Sequence, residues 1–159
     1  MRFAFEESWH LPARPEALRD VLVDLERYPT WWPQVVAVAR IDDDRGRVLC
    51  RSTLPYTLDL VLRAVSRDLP TLEVAVSGHL EGAVAWTLRP EAGGTRMEMR
   101  QQVDTRGAVV SLGAALAPGL LRWNHARMMA GCRRGLLARV GVSGGSRAAS
   151  DPAPRRAPG

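Results

Sequence analysis

The chain contains no lysine: all 22 of its basic residues are arginine. That absence excludes Schiff-base catalysis, which needs a lysine amine. It also excludes the usual P-loop nucleotide sites, which need a phosphate-binding lysine. Cysteine is scarce. Cys50 and Cys132 sit in apolar surroundings, and neither belongs to a CxxC pair. A disulfide framework or a zinc site is therefore not expected, and two reduced, buried thiols are. The three histidines, His10, His79 and His125, show no metal-ligand spacing. No metal and no cofactor is expected. Long apolar runs are missing too. The longest uncharged stretch, Gly107 to Leu121, contains Pro118 and falls short of the ~20 residues that a spanning helix needs. The N-terminal segment turns acidic at Glu6-Glu7, where a leader peptide would be apolar. The expectation is a cytoplasmic protein without stable membrane insertion.

What is present is a 159-residue chain with 46% apolar and 25% charged residues. Those values fit one globular domain with a sizeable core. The net charge of +5 and a pI near 10.4 point toward nucleic acid. However, the arginines are scattered from Arg2 to Arg156 without a block of five or six like charges. Arginine used throughout in place of lysine fits GC-rich coding better than a nucleic-acid groove, so no nucleic-acid partner is expected.

The pattern along the chain alternates early and turns helical late. Phe3, Phe5 and Trp9 oppose Glu6, Ser8 and His10, a half-buried strand over Arg2 to His10. Pro15 opens a helix with Ala17, Leu18, Val21, Leu22 and Leu25 at 3–4 spacing, ending near Tyr28-Pro29. Tyr28 to Pro33 predicts a short second helix or turn pinned by aromatics. Strands follow at Val35 to Ile41, Arg47 to Thr53, Tyr56 to Ser66, Leu72 to Ser77, Ala83 to Arg89 and from Met97 to Val103. Turns are expected at Asp42 to Gly46, Asp68 to Pro70, Gly78 to Gly82 and Glu91 to Gly94. From Ser111 to about Val140 the period becomes helical. Leu121, His125, Met128, Cys132 and Leu136 then share one face, with most of Arg122, Arg127, Arg133 and Arg134 elsewhere. Residues 1–141 form the expected domain. The Gly-, Ala-, Pro- and Arg-rich segment 142–159 has too little apolar surface to order and is expected to be a disordered tail.

This order is α+β: about seven antiparallel strands, one or two short helices after the first, and a long final helix as the obvious cover of the sheet. The strand order, Tyr28-Pro29-Thr30-Trp31-Trp32-Pro33, Leu54-Pro55-Tyr56, Gly78-His79-Leu80-Glu81-Gly82 leading into Trp86-Thr87-Leu88, Gly93-Gly94-Thr95 and Arg122-Trp123-Asn124-His125 resemble the START-like (SRPBCC) superfamily. Within it, the chain is similar to bacterial polyketide cyclase/dehydrase-type proteins over about residues 3–140. The resemblance implies a helix-grip (START/Bet v 1-like) fold, in which a curved sheet grips the C-terminal helix around a hydrophobic cavity. It does not by itself supply a catalytic residue.

His125, on the apolar face of the last helix, is the candidate proton mover near neutral pH; the commoner use of such a histidine is a satisfied structural hydrogen bond. Trp32, Tyr56 and Trp86 are candidate walls for a flat or isoprenoid ligand. Met97, Met99 and Gln101 share one strand face, with Gln101 as a lone amide among apolar neighbours. Leu121, Asn124, Met128 and Cys132 complete the candidate set from the helix. Asp59 with Arg63, and Glu98 with Arg100, read as convex-face pairs. The leading functional expectation is binding of a hydrophobic small molecule such as a polyketide, lipid or isoprenoid. The alternative is a polyketide cyclase or aromatase catalysing aldol condensation and dehydration in the same cavity. A third is a carrier that makes weak membrane-surface contact through exposed arginines.

Overall fold

The computed structural model describes residues 1–51, 53–108, 113, 115 and 117–145. Strand β1 (Arg2–Leu11) leads into helix α1 (Pro15–Val23) and a 3₁₀ helix (Leu25–Thr30). Six strands follow: β2 (Val35–Arg40), β3 (Arg45–Arg51), β4 (Thr57–Ser66), β5 (Thr71–Gly78), β6 (Leu80–Glu91) and β7 (Gly94–Thr105). The long helix α2 (Pro118–Gly145) ends the described chain. The sheet is antiparallel throughout, in the order β1-β7-β6-β5-β4-β3-β2. This is the helix-grip architecture. Among the described residues, no helix is long and apolar enough to cross a membrane.

Alternation puts every second strand residue on the concave face, and that face carries the core. Leu11, Leu88 and Met97 are fully buried there, together with Leu18 of α1 and Cys132 and Leu136 of α2. The Tyr28–Trp32 aromatics form the hinge of this layer. Tyr28 donates to the Leu22 carbonyl at 2.6 Å, and Trp31 stands edge-on to it with centroids 4.9 Å apart. Trp32 donates its indole N–H to the Met128 carbonyl at 3.1 Å and so ties this segment to α2.

Several boundaries differ from those read in the sequence. Gly78 to Gly82 is not an open turn. Gly78 pairs with Leu60 on one side, while β6 resumes pairing with β7 from Leu80. Strand β2 is interrupted by a register shift between Val35 and Ala37. Helix α2 continues to Gly145, past Val140, so the first residues assigned to a disordered tail are helical. The expected helix start at Ser111 and the remainder of the tail, 146–159, lie outside the described residues.

Helix α2 approaches its neighbours closely because it carries glycine at two contact points. A Cβ at Gly135 would overlap the Trp31 carbonyl oxygen, and one at Gly131 would meet the Gln34 side-chain amide. Gly141, on the same helix, has open space around it. Gly135→Ala is therefore expected to lower stability by about 1–3 kcal/mol through overpacking. Gly141→Ala is expected to raise it by up to about 1 kcal/mol through helix propensity. Urea unfolding of the two variants side by side measures both.

Candidate functional site

Between the concave sheet face and the N-terminal half of α2 lies a cavity of about 550 Å³. That is within the range of roughly 300–1,000 Å³ typical of small-molecule sites. It follows β4 for its whole length. Leu58, Leu60, Leu62, Ala64 and Ser66 all line it, a span of about 26 Å at ~3.3 Å per residue. The alternation of leucines in this strand is what makes the wall apolar. The opposite wall is α2, through Leu121, Asn124, His125, Met128 and Met129.

One end is rimmed by charge from the 3₁₀ helix, the β2–β3 turn and the end of β4. Arg67 donates to the Asp44 carboxylate at 2.9 Å and to the Asp43 carbonyl at 2.7 Å, which closes the rim across the two strand ends. Arg45 donates to Asp42 at 2.7 Å, and this bond holds the Asp42 carboxyl below its ordinary range. These groups are solvent-exposed, so water and salt screen each pair and it adds little to stability.

The polar interior is small. The His125 ring stacks on Phe5 with centroids 3.6 Å apart, and its Nε2 lies 3.2 Å from Gln101 Oε1. With that oxygen as acceptor, Nε2 carries the proton and Nδ1 is left as an acceptor. Burial lowers the pKa of His125 to about 4, so the ring is neutral at pH 7. Asn124 is 4% exposed, and its amide nitrogen meets the Met128 sulfur at 3.9 Å. Among the described residues, its Oδ1 has no hydrogen-bond partner. Register extends this polar point into a cross-sheet row: Phe5 pairs with Gln101, Gln101 with Val84, Val84 with Val74 and Val74 with Ala64. A ligand lying along the row would meet apolar side chains and then His125, Gln101 and Asn124 at one edge. Burial pushes the thiol of Cys50, on the wall, up to about 11, so it is not a thiolate nucleophile at neutral pH.

A family model described as polyketide cyclase/dehydrase and lipid transport matches residues 2–137. The chain belongs to that family. No curated protein matches it. Among solved structures, the Zhui aromatase/cyclase from Streptomyces sp. R1128 superposes with a TM-score of 0.73 at 13% identity, covering 87% of this chain and 93% of that one. A START superfamily protein from Mycobacterium smegmatis gives 0.68 at 14% identity, covering 87% and 97%. Ara h 8.0201 gives 0.65 at 16%, covering 88% and 98%. At these identities the likeness concerns the fold.

Within this family member, Trp32, Tyr56, Trp86, Met99, Gln101, Leu121, Asn124, His125 and Met128 come together on the cavity wall. Met97 and Cys132 do not. Met97 shares the strand face of Met99 but sits where β7 faces Trp9 and Leu88, and Cys132 lies one helical turn beyond Met128. Both are 0% exposed in the solid core, because α2 has already closed onto the sheet there. Asp59 and Arg100 also take other partners than expected. Asp59 pairs with Arg47, and Arg100 with Glu6, both across strand pairs. His10 bonds Glu91 at 2.6 Å, and His79 accepts from the Asp59 backbone N–H at 3.2 Å. The β3, β4 and β5 walls, such as Val48, Leu60 and Val76, were not singled out in the sequence, although their alternation marked one face.

His125 gives a pH test. Its pKa lies near 4 in the folded chain against an ordinary 6.5, so the unfolded chain takes up that proton first as pH falls. Its contribution to stability is complete above about pH 6.5 and is lost as pH falls toward about 4. The urea midpoint of the wild type is expected to decline across that window more steeply than that of His125→Gln. An NMR titration should place the His125 ring near 4; a midpoint near 6.5 would refute its burial.

Proposed function

We propose that the protein binds one hydrophobic small molecule, a polyketide, lipid or isoprenoid, in the cavity between sheet and α2. The observation that carries this reading is a cavity of about 550 Å³ with mainly apolar walls, a charged rim at one end and the polar cluster of His125, Gln101 and Asn124 inside. Burying an elongated apolar ligand there contributes at roughly 25 cal/mol per Å² removed from water, less the cost of ordering it. Among the described residues, His125 Nδ1 and Asn124 Oδ1 are acceptors left open to the cavity, so the ligand's edge near them carries a hydroxyl or phenol donor. An unmatched donor or acceptor buried there would cost about 1–3 kcal/mol.

A second reading, a cyclase or aromatase, is favoured by the same imidazole facing the cavity. Aldol condensation and dehydration need a proton mover, and His125 is the titratable group best placed for it. General bases work best with a pKa near the operating pH, and a ring held near 4 is a weak base. Binding and orientation are therefore the stronger assignment. Organic extraction of the purified protein followed by mass spectrometry is expected to release an oxygenated apolar compound. Val84→Trp, which fills the middle of the row, should abolish its recovery while the fold is kept. His125→Ala and Asn124→Leu should lower affinity for the extracted compound about tenfold, one hydrogen bond's worth. Turnover of that compound by wild type, lost in His125→Ala, would decide for the cyclase.

A further inference from the structure

Between Asp104 and Asp151 the chain has no acidic residue. Residues 1–104 hold 13 arginines against 16 carboxylates, whereas residues 105–150 hold seven arginines and no aspartate or glutamate. Helix α2 falls entirely in the second set. Its solvent face repeats at helical spacing: Trp123, Arg127, Ala130 and Arg134 form one stripe, flanked by Arg133 and Ala126. Trp123 and Leu120 are each 45% exposed. The Arg127 guanidinium lies 5.2 Å from the centroid of the Trp123 ring. No carboxylate among the described residues pairs with Arg127, Arg133 or Arg134. A solvated helix ordinarily mixes both signs and gains from pairs three or four residues apart. This one repels itself along its outer face.

We propose that the outer face of α2 docks on an anionic lipid surface, with Trp123 and Leu120 at headgroup depth and Arg127, Arg133 and Arg134 over the phosphates. Interfacial tryptophan with clustered arginine is the chemistry that such a surface favours. The stripe from Trp123 to Arg134 is about 17 Å long at ~1.5 Å per residue. Protein interfaces fix register by alternating charge and by pockets. Here the stripe has one sign, and small residues fill the spaces between its charges, which suits a fluid, uniformly negative sheet. The opposite side of the same helix turns carries Leu121, Asn124 and His125 on the cavity wall. Docking therefore sets the polar end of the cavity within one helix thickness of the lipid. This proposal does not depend on what the cavity holds.

The test is co-sedimentation of the full chain with phosphatidylcholine vesicles, with and without about 30 mol% phosphatidylglycerol, in about 0.05 M and about 0.5 M salt. Binding is expected only with the anionic lipid and only at low salt. Arg127→Glu with Arg134→Glu should reduce it about tenfold or more, and Trp123→Ala should weaken it while keeping its salt dependence. Arg127→Gln with Arg134→Gln is the milder control should the reversal disturb folding. Equal binding to neutral vesicles, no binding, or binding indifferent to these substitutions would overturn the proposal. So would tighter association with a DNA duplex at equal phosphate concentration.

Discussion

One long helix, joined at one end by α1 and the 3₁₀ helix, has to cover a seven-stranded sheet, and it packs tightly over only half its length. Toward the C-terminus, Gly131 and Gly135 let α2 settle against Gln34 and Trp31, and Cys132 and Leu136 close the core with Leu11, Leu18 and Met97. Toward the N-terminus the same helix stands off, and the space beneath it is the cavity. Cavity and core are two ends of one wedge. The site's shape thus depends on the tight end, because any residue that lifts α2 at Gly135 changes the angle at His125.

Much of this architecture was legible as period. Alternation from Tyr56 to Ser66 and from Met97 to Val103 marked the strands and sorted their side chains into two faces, and the 4-3-4-4 spacing after Leu121 assigned the helix face. Period, however, assigns a face and not a depth along it. Met97 and Met99 are equivalent by alternation, as are Met128 and Cys132 by helical phase. What separates wall from core is the angle of α2, set by glycines whose partners are about a hundred residues away in the chain. Pairing was illegible for the same reason. His125 and Gln101 were each recognisable alone, and only tertiary structure brings them together. Asp59 found Arg47 because β3 and β4 align Leu49 with Asp59, a register that neither strand encodes by itself.

The interior chemistry follows from scarcity. Where most neighbours are aliphatic, an imidazole stacked on Phe5 loses more by charging than it gains from one amide, so it stays neutral. A neutral ring and an unpartnered amide oxygen are directional without being charged. They discriminate where an oxygen sits on a ligand without demanding that it be ionic.

The interrupted register of β2 has its own consequence. β1 and β2 are the two edges of the open sheet, and each presents unpaired backbone groups to solvent. On β2, with Val36, Ala37 and Ala39 exposed, the extra residue after Val35 breaks the even spacing that an incoming strand would need. On β1, Glu6 and Ser8 point outward and place a carboxylate in the path of a second copy. An apolar-lined sheet of this kind is prone to grow by edge-to-edge addition, and the kink and the charge stop it from doing so at either side.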